Sequence, residues 1–276
     1  MIRFKGLIAA ATVALTALLA APAQAQVTPT PVVEYATVGG FTVYNINMKV
    51  YATGFTVASM VRHDGTSLIM TDYMTAAQLA ALTNGLDAAS FTRLPAVVRT
   101  AHMIPDLPSH VVKYKGKTVT YQAMGATNAP VASATFVTAI GRFGTAFTRI
   151  ADQPLFTRGV TGGIANATDS LTVSRSGHAI GNHGIGGGSH AIIHHDGYFD
   201  FATMNNLKAL VAAANWASQP AVFAPNPAVS DAQHFVVGVE DDHDHAKTVK
   251  WDTGSRVPAK VTDVDQALAA AEATLP

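Results

Sequence analysis

The chain repeats itself, and nothing else in it restricts the possible folds as much. Gly39-Gly40-Phe41 opens the segment GGFTVYNINMKVYATG. Gly162-Gly163-Ile164 opens GGIANATDSLTVSRSG, 123 positions later, with glycine at the same three places. Met48 and Val50 then correspond to Leu171 and Val173. Further on, Thr75, Leu79 and Leu82 match Thr203, Leu207 and Leu210, 128 apart. Phe91 and Pro95 match Trp216 and Pro220 at 125, and Val119 and Tyr121 match Val249 and Trp251 at 130. Pro130, Phe136, Ile140 and Phe143 match Pro258, Val264, Leu268 and Ala271 at 128. Any one match could be chance, but the ordered series is a tandem duplication.

Each copy reads the same way. Tyr44, Ile46, Met48 and Val50 alternate with Asn45, Asn47 and Lys49, the period of a strand. Gly54 and Gly177 fall where a hairpin turn needs positive φ. A returning strand and a helix follow, with Thr71 or Asp72 as candidate caps in the first copy. One large aromatic, Phe91 or Trp216, comes next, placed to plug the space between helix and sheet. A second hairpin turns at Lys115-Gly116 in the first copy. A closing helix starts near Pro130 or Pro258, and Val261, Val264, Leu268, Ala271 and Leu275 form one apolar stripe. The pattern predicts an α+β chain of two ββαββα repeats, each an antiparallel sheet with helices on one face. Their bounds are 33–143 and 158–275, with 144–157 as a packed linker.

The first 25 residues stand apart from both copies. Arg3 and Lys5 precede an apolar run from Leu7 to Ala21, and Ala23-Gln24-Ala25 supplies small residues two apart. That is the layout of a secretory signal cleaved after Ala25, and it places the protein in the periplasm or outside the cell. The run is short for a membrane span, which needs about 20 residues. No later apolar stretch reaches that length. The whole chain has 18 basic and 18 acidic side chains. No basic face points to nucleic acid. Cysteine is absent, so packing alone must hold an exported fold, and no thiol nucleophile is possible. No His-Glu-x-x-His helix, Gly-x-Ser-x-Gly elbow or P-loop lysine is present, and the expectation is a protein that is not an enzyme.

The order of features resembles the emfourin family, small bacterial inhibitors of thermolysin-like metallopeptidases. The features are a Gly-Gly-Phe/Ile start, a hairpin, a helix, an aromatic-x-x-x-Pro step, an Asp before a third strand, and a closing helix after Pro. An uncharacterised domain of bacterial envelope proteins is similar in the same way. The second copy fits better, through TGGIANATDSLTV and DAQHFVVGV. The first departs after GGF, where TVYNINMKV replaces a small, polar continuation. The resemblance implies a double-domain inhibitor whose partner is a secreted metallopeptidase. Gly39, Gly40, Phe41, Gly162, Gly163 and Ile164 are its candidate contact residues, since paired glycines let a partner backbone come close. A plain turn before a strand explains the same glycines.

Histidine is the compositional anomaly, with most of the 11 in the second copy. Alternation puts His190, Ile192 and His194 on one face of a strand, and imidazoles two apart can share a metal. Asp242, His243, Asp244 and His245 lie at a hairpin tip that the first copy lacks. Imidazoles mixed with carboxylates suit Zn²⁺ or another divalent transition metal better than Ca²⁺. A metal-binding protein using these six residues is therefore the alternative function, and a solvated, charged tip is the simpler explanation of the same residues.

Overall fold

The computed structural model describes residues 29–40, 42–99, 107–122, 131–163, 167–184, 192–225, 229, 231–241 and 245–276. Residues 31–276 form one compact unit. It is α+β, with two sheets and four helices.

In the first half, strands β1 (Val33–Val38), β2 (Tyr44–Val50), β3 (Phe55–Arg62) and β4 (Ser67–Tyr73) meander antiparallel. Helix α1 (Ala76–Ala88), a 3-10 turn at Phe91–Arg93 and the short β5 (Val97–Arg99) follow. The hairpin β6 (Ser109–Tyr114) and β7 (Lys117–Gln122) and helix α2 (Val131–Asp152) close the half. In the second half, β8 (Pro154–Gly162), β9 (Ala167–Ser174), β10 (His178–Gly184) and β11 (Ile192–Tyr198) lead to α3 (Phe201–Ala213) and a 3-10 turn at Trp216–Ser218. Then come β12 (Gln233–Glu240), β13 (Ala246–Asp252) and α4 (Ala259–Glu272). The sheet orders are β4-β3-β2-β1-β6-β7-β5 and β11-β10-β9-β8-β12-β13. They correspond strand for strand. Even β5, parallel to β7, has a counterpart in the parallel bridge from Val222 to Lys250.

Each half thus has four strands before its first helix, where the sequence pattern predicts two. The added strands, β1/β8 and β4/β11, flank the expected hairpin. They escape the reading because their inward positions are not uniformly apolar: Thr37 and Asp72 face inward and are buried in the first half. Gly39-Gly40 and Gly162-Gly163 consequently lie at the junction of the first two strands, whereas the sequence pattern places them before the first. Residues 144–157 are also not a linker. They form the last turns of α2 and the start of β8, separated only by Gln153.

The cap of α1 is Thr75, in a capping box with Gln78, and not Thr71 or Asp72, which belong to β4. Asp200 caps α3 by accepting from the Thr203 backbone N–H at 2.7 Å. The two caps and helices are 125 apart, so Leu82 corresponds to Leu207 and Leu79 to Met204, three residues off the sequence match.

Helices cover one face of each sheet. Tyr35 of β1 stacks on Phe143 of α2, with ring centroids 5.1 Å apart. Phe91 and Trp216 are buried as plugs, each following a residue with positive φ, Ser90 or Asn215. The stripe Val261, Val264, Leu268, Ala271 and Leu275 is buried throughout. Gly54 and Gly177 have φ of +84° and +90°. A Cβ on Gly54 would collide with the Met74 carbonyl, and one on Gly177 would lie 2.9 Å from that of Phe199.

The halves are joined by a buried ionic group. Asp72 of β4, 1 % exposed, pairs with Arg149 of α2 and lies 3.6 Å from Arg175, which sits in the β9–β10 turn. Arg175 also donates to the Thr71 and Asp241 carbonyls. Among the described residues no helix is long and apolar enough to cross a membrane.

Candidate functional site

Because the two sheets share register, their helix-facing surfaces can be compared position by position. In the first half one cross-strand row reads Val112, Tyr35, Met48, Ala58, Met70. Its counterpart reads Val237, Arg158, Leu171, Gly181, His195. The next row contains Ile46, Met60 and Leu68 in the first half, and Asp169, His183 and Ile193 in the second. Four apolar or aromatic positions have become Arg158, Asp169, His183 and His195.

The helix above has changed with them. The shared alignment of α2 and α4, 128 apart, places Asp265 at the position of Val137 and Glu272 at that of Gly144. The Arg158 Nε–H donates to Asp265 Oδ1 at 2.7 Å, and Arg158 Nη1 lies 3.5 Å from Glu272 Oε2. Glu272 fits because Gly181 lies beneath it: a Cβ there would be 2.5 Å from Glu272 Oε1. Asp169 pairs with His183 Nδ1. His195 Nδ1 lies 3.0 Å from the Pro276 carbonyl oxygen. Burial pushes the Glu272 carboxyl above the usual range; Arg158 draws it part of the way back, and the Asp169 charge adds to the rise.

This is a cluster of carboxylates, imidazoles and one guanidinium between the sheet and α4, most exposed on the side of β10 and β11. His183 remains 40 % exposed and Ile193 49 %. Helix α2 has 22 residues and α4 has 14, so the second sheet is covered over a shorter length. Asp169 and His183 are the members of the cluster that solvent reaches most easily, with side chains 21 % and 40 % exposed.

A concavity of about 420 Å³ lies where the halves meet, with Tyr44, Met60, Arg62, Phe147, Tyr198 and Phe201 among its lining residues. The Arg62 guanidinium there stacks 4.5 Å over the Phe201 ring. Its charge is engaged within the protein, which makes this the weaker candidate.

The residues singled out from sequence fare differently. His194 is on the outer face of β11, with Nδ1 2.9 Å from Asn182 Oδ1. His245 is 79 % exposed, its backbone N–H bonded to Asp241 Oδ1 at 3.0 Å. His190, Asp242, His243, Asp244, Phe41 and Ile164 lie outside the described residues. Among the described residues no three His, Asp or Glu side chains are grouped so as to hold a metal ion. Gly39 and Gly40 have positive φ, and the space around the Gly39 Cα is open. Gly162 and Gly163 approach their own chain: Cβ atoms there would lie 2.9 Å from the Ala232 carbonyl oxygen and 2.9 Å from Gln233 Cγ.

The polar cluster itself was missed from the sequence. Its signal lay in the repeat: Asp169 falls 123 positions from Ile46, and Arg158 from Tyr35. Reading it required knowing that β1 and β8 exist. No protein-family model matches the chain, and no characterised protein matches it.

Proposed function

We propose that this is an exported, non-enzymatic binding protein, made of two tandem repeats, whose second half carries the recognition chemistry. The observation that supports this is the coordinated replacement of Tyr35, Ile46, Met60 and Met70 by Arg158, Asp169, His183 and His195 at equivalent positions of one fold. Positions that are apolar in the first half carry partly exposed polar groups at Asp169 and His183 in the second, and such a polar version of the same surface favours a ligand. The leader-like Met1–Ala25 segment supports export. The resemblance to emfourins supplies the class of partner: a thermolysin-like metallopeptidase, inhibited on binding.

The test is residual activity of several such peptidases at stoichiometric protein. Activity should fall in a one-to-one titration. Asp169→Ala combined with His183→Ala should weaken inhibition by about tenfold or more, equivalent to ~1.4 kcal/mol. Full peptidase activity at a large excess of protein, across the panel, would refute the assignment of partner.

A further inference from the structure

The two halves also differ at their outer sheet edges. In the first half, the edge strand β4 turns the carbonyls of Ser67, Ile69 and Thr71 outward, and all three are capped from the second half. Asn205 Nδ2 donates to Ser67 O at 3.1 Å, Lys208 Nζ to Ile69 O, and Arg175 Nη1 to Thr71 O. The corresponding edge of the second half is β11. Phe199 N–H is bonded to Gly177 O, so the alternate residues Ile192, His194, Asp196 and Tyr198 turn their backbone groups away from β10. Among the described residues nothing caps them. A second molecule stacked in the manner of the tandem pair would not cap them either. The first half has Ala80, Thr83 and Ala52 where the second has Asn205, Lys208 and Arg175.

An open, apolar edge is normally blunted by charge, proline or cover. Here Ile192 is 67 % exposed, Ile193 49 % and Tyr198 71 %. The strand Ile-Ile-His-His-Asp-Gly-Tyr is instead complementary to itself. We propose that β11 is a dimerisation edge: two copies of this chain pair β11 antiparallel about a two-fold axis through His195, joining their six-stranded sheets into one.

In that register Ile192 of each copy faces Tyr198 of the other, and His194 of each faces Asp196 of the other, all on the outer face. Aromatic–β-branched and opposite-charge pairs are the stabilising cross-strand combinations. A slip of two residues one way sets His194 against His194, and the other way Asp196 against Asp196. Asp196 opposite Asp196 is a like-charge pair, and either slip forgoes both His194–Asp196 pairs, so side-chain chemistry selects the register. The atoms needed are the ones the monomer does not use. Asp196 engages His178 through Oδ1 at 2.7 Å, and His194 engages Asn182 through Nδ1. Asp196 Oδ2 is left to accept from the Nε2–H of His194 in its protonated form, since Nδ1–H is already given to the Asn182 oxygen. The second copy is thus an isologous partner, as a two-fold interface requires. With one strand per side the contact is small, so the equilibrium is concentration-dependent.

Sedimentation equilibrium of the purified protein is the first measurement. A reversible dimer is expected, abolished by Ile192→Lys. A monomer up to the solubility limit overturns the proposal, as does a dimer that Ile192→Lys leaves intact. The absence of cysteine gives an independent measurement that leaves the sheet undisturbed. The two His195 positions form a non-hydrogen-bonded pair across the axis, with Cα atoms about 4.5 Å apart, within the range a disulfide spans. Under mild oxidation His195→Cys should give a covalent dimer, and Thr172→Cys, exposed in mid-sheet on β9, should not. Equal cross-linking by the two variants would also overturn it.

Discussion

Replacing Arg158 by Met should destabilise the protein strongly at neutral pH and much less in acid. Arg158, Asp265 and Glu272 have side chains only 9 %, 11 % and 13 % exposed. That removes them from the class of surface ion pairs, worth about 0–1 kcal/mol. Charges about 4 Å apart attract by ~4 kcal/mol at an effective dielectric constant near 20. Deleting one member of a buried pair leaves the others uncompensated, at a cost of roughly 3–5 kcal/mol. For a chain of this size that lowers Tm by roughly 6–20 °C. The pH dependence has a definite sign. The folded-state value of Glu272 already lies above its ordinary 4.5 because of burial. Between those values the folded state holds a proton that the unfolded state has released, so stability falls as pH rises through that window. Removing Arg158 removes the attraction that draws the Glu272 value down, which extends the window upward. The deficit of the variant should therefore be largest near pH 7 and shrink as pH falls toward about 4.5. Glu272→Gln added to Arg158→Met should recover part of the loss. Urea unfolding at several pH values measures all of this. A deficit below about 1 kcal/mol at pH 7, or one independent of pH, would refute the reasoning.

Three further outcomes follow from the geometry. His110 is held below the usual imidazole range by burial, and its Nδ1 lies 2.8 Å from the Tyr35 hydroxyl. The neutral form is favoured in the fold, so wild-type stability should fall as pH drops through the unfolded value near 6.5. His110→Phe, the residue the second half has at Phe235, should lose about 1 kcal/mol at pH 7 yet lack this acid sensitivity, as thermal melts at pH 5 and 7 would show. Gly54→Ala should be severely destabilising because its Cβ meets the Met74 carbonyl, whereas Gly39→Ala, with open space, should cost only about 1 kcal/mol for positive φ; equal losses in denaturant would contradict this. Arg175→Ala should cost roughly 3–5 kcal/mol by leaving buried Asp72 with Arg149 alone and the Thr71 and Asp241 carbonyls without their donor; a change within about 0.5 kcal/mol would show that the joint between halves does not depend on it.

What the sequence showed was whatever repeats in simple form. The glycines at 54 and 177, the turn at Lys115-Gly116, the plugs Phe91 and Trp216, and the α4 stripe each depend on local backbone or local periodicity. Strands β1, β4, β8 and β11 were hidden because their inward positions carry Thr37, Asp72, Arg158 and His195. An inward polar residue breaks the alternation on which a strand is recognised, and only its tertiary partner explains it. For Asp72 that partner is Arg149, 77 positions away, and for Arg158 it is Asp265, 107 positions away. The candidate site failed to show for the same reason: its members come from four strands and a helix that no local window contains.

The duplication then separates what the fold needs from what one half has added. An arginine in place of Tyr35 would be untenable beneath a helix carrying Val137 and Gly144. It becomes tenable once Asp265 and Glu272 stand at those two positions, and Gly181, where the first half has Ala58, leaves room for the Glu272 carboxylate as it is placed. Arg158 and Glu272 depend on their partners, since either one alone would bury an uncompensated charge, and Asp265 and Gly181 supply the counter-charge and the room they use. Drift at independent sites would leave such mismatches behind. Under the proposed binding function, Asp169 and His183 are the groups of this set that a partner would meet first.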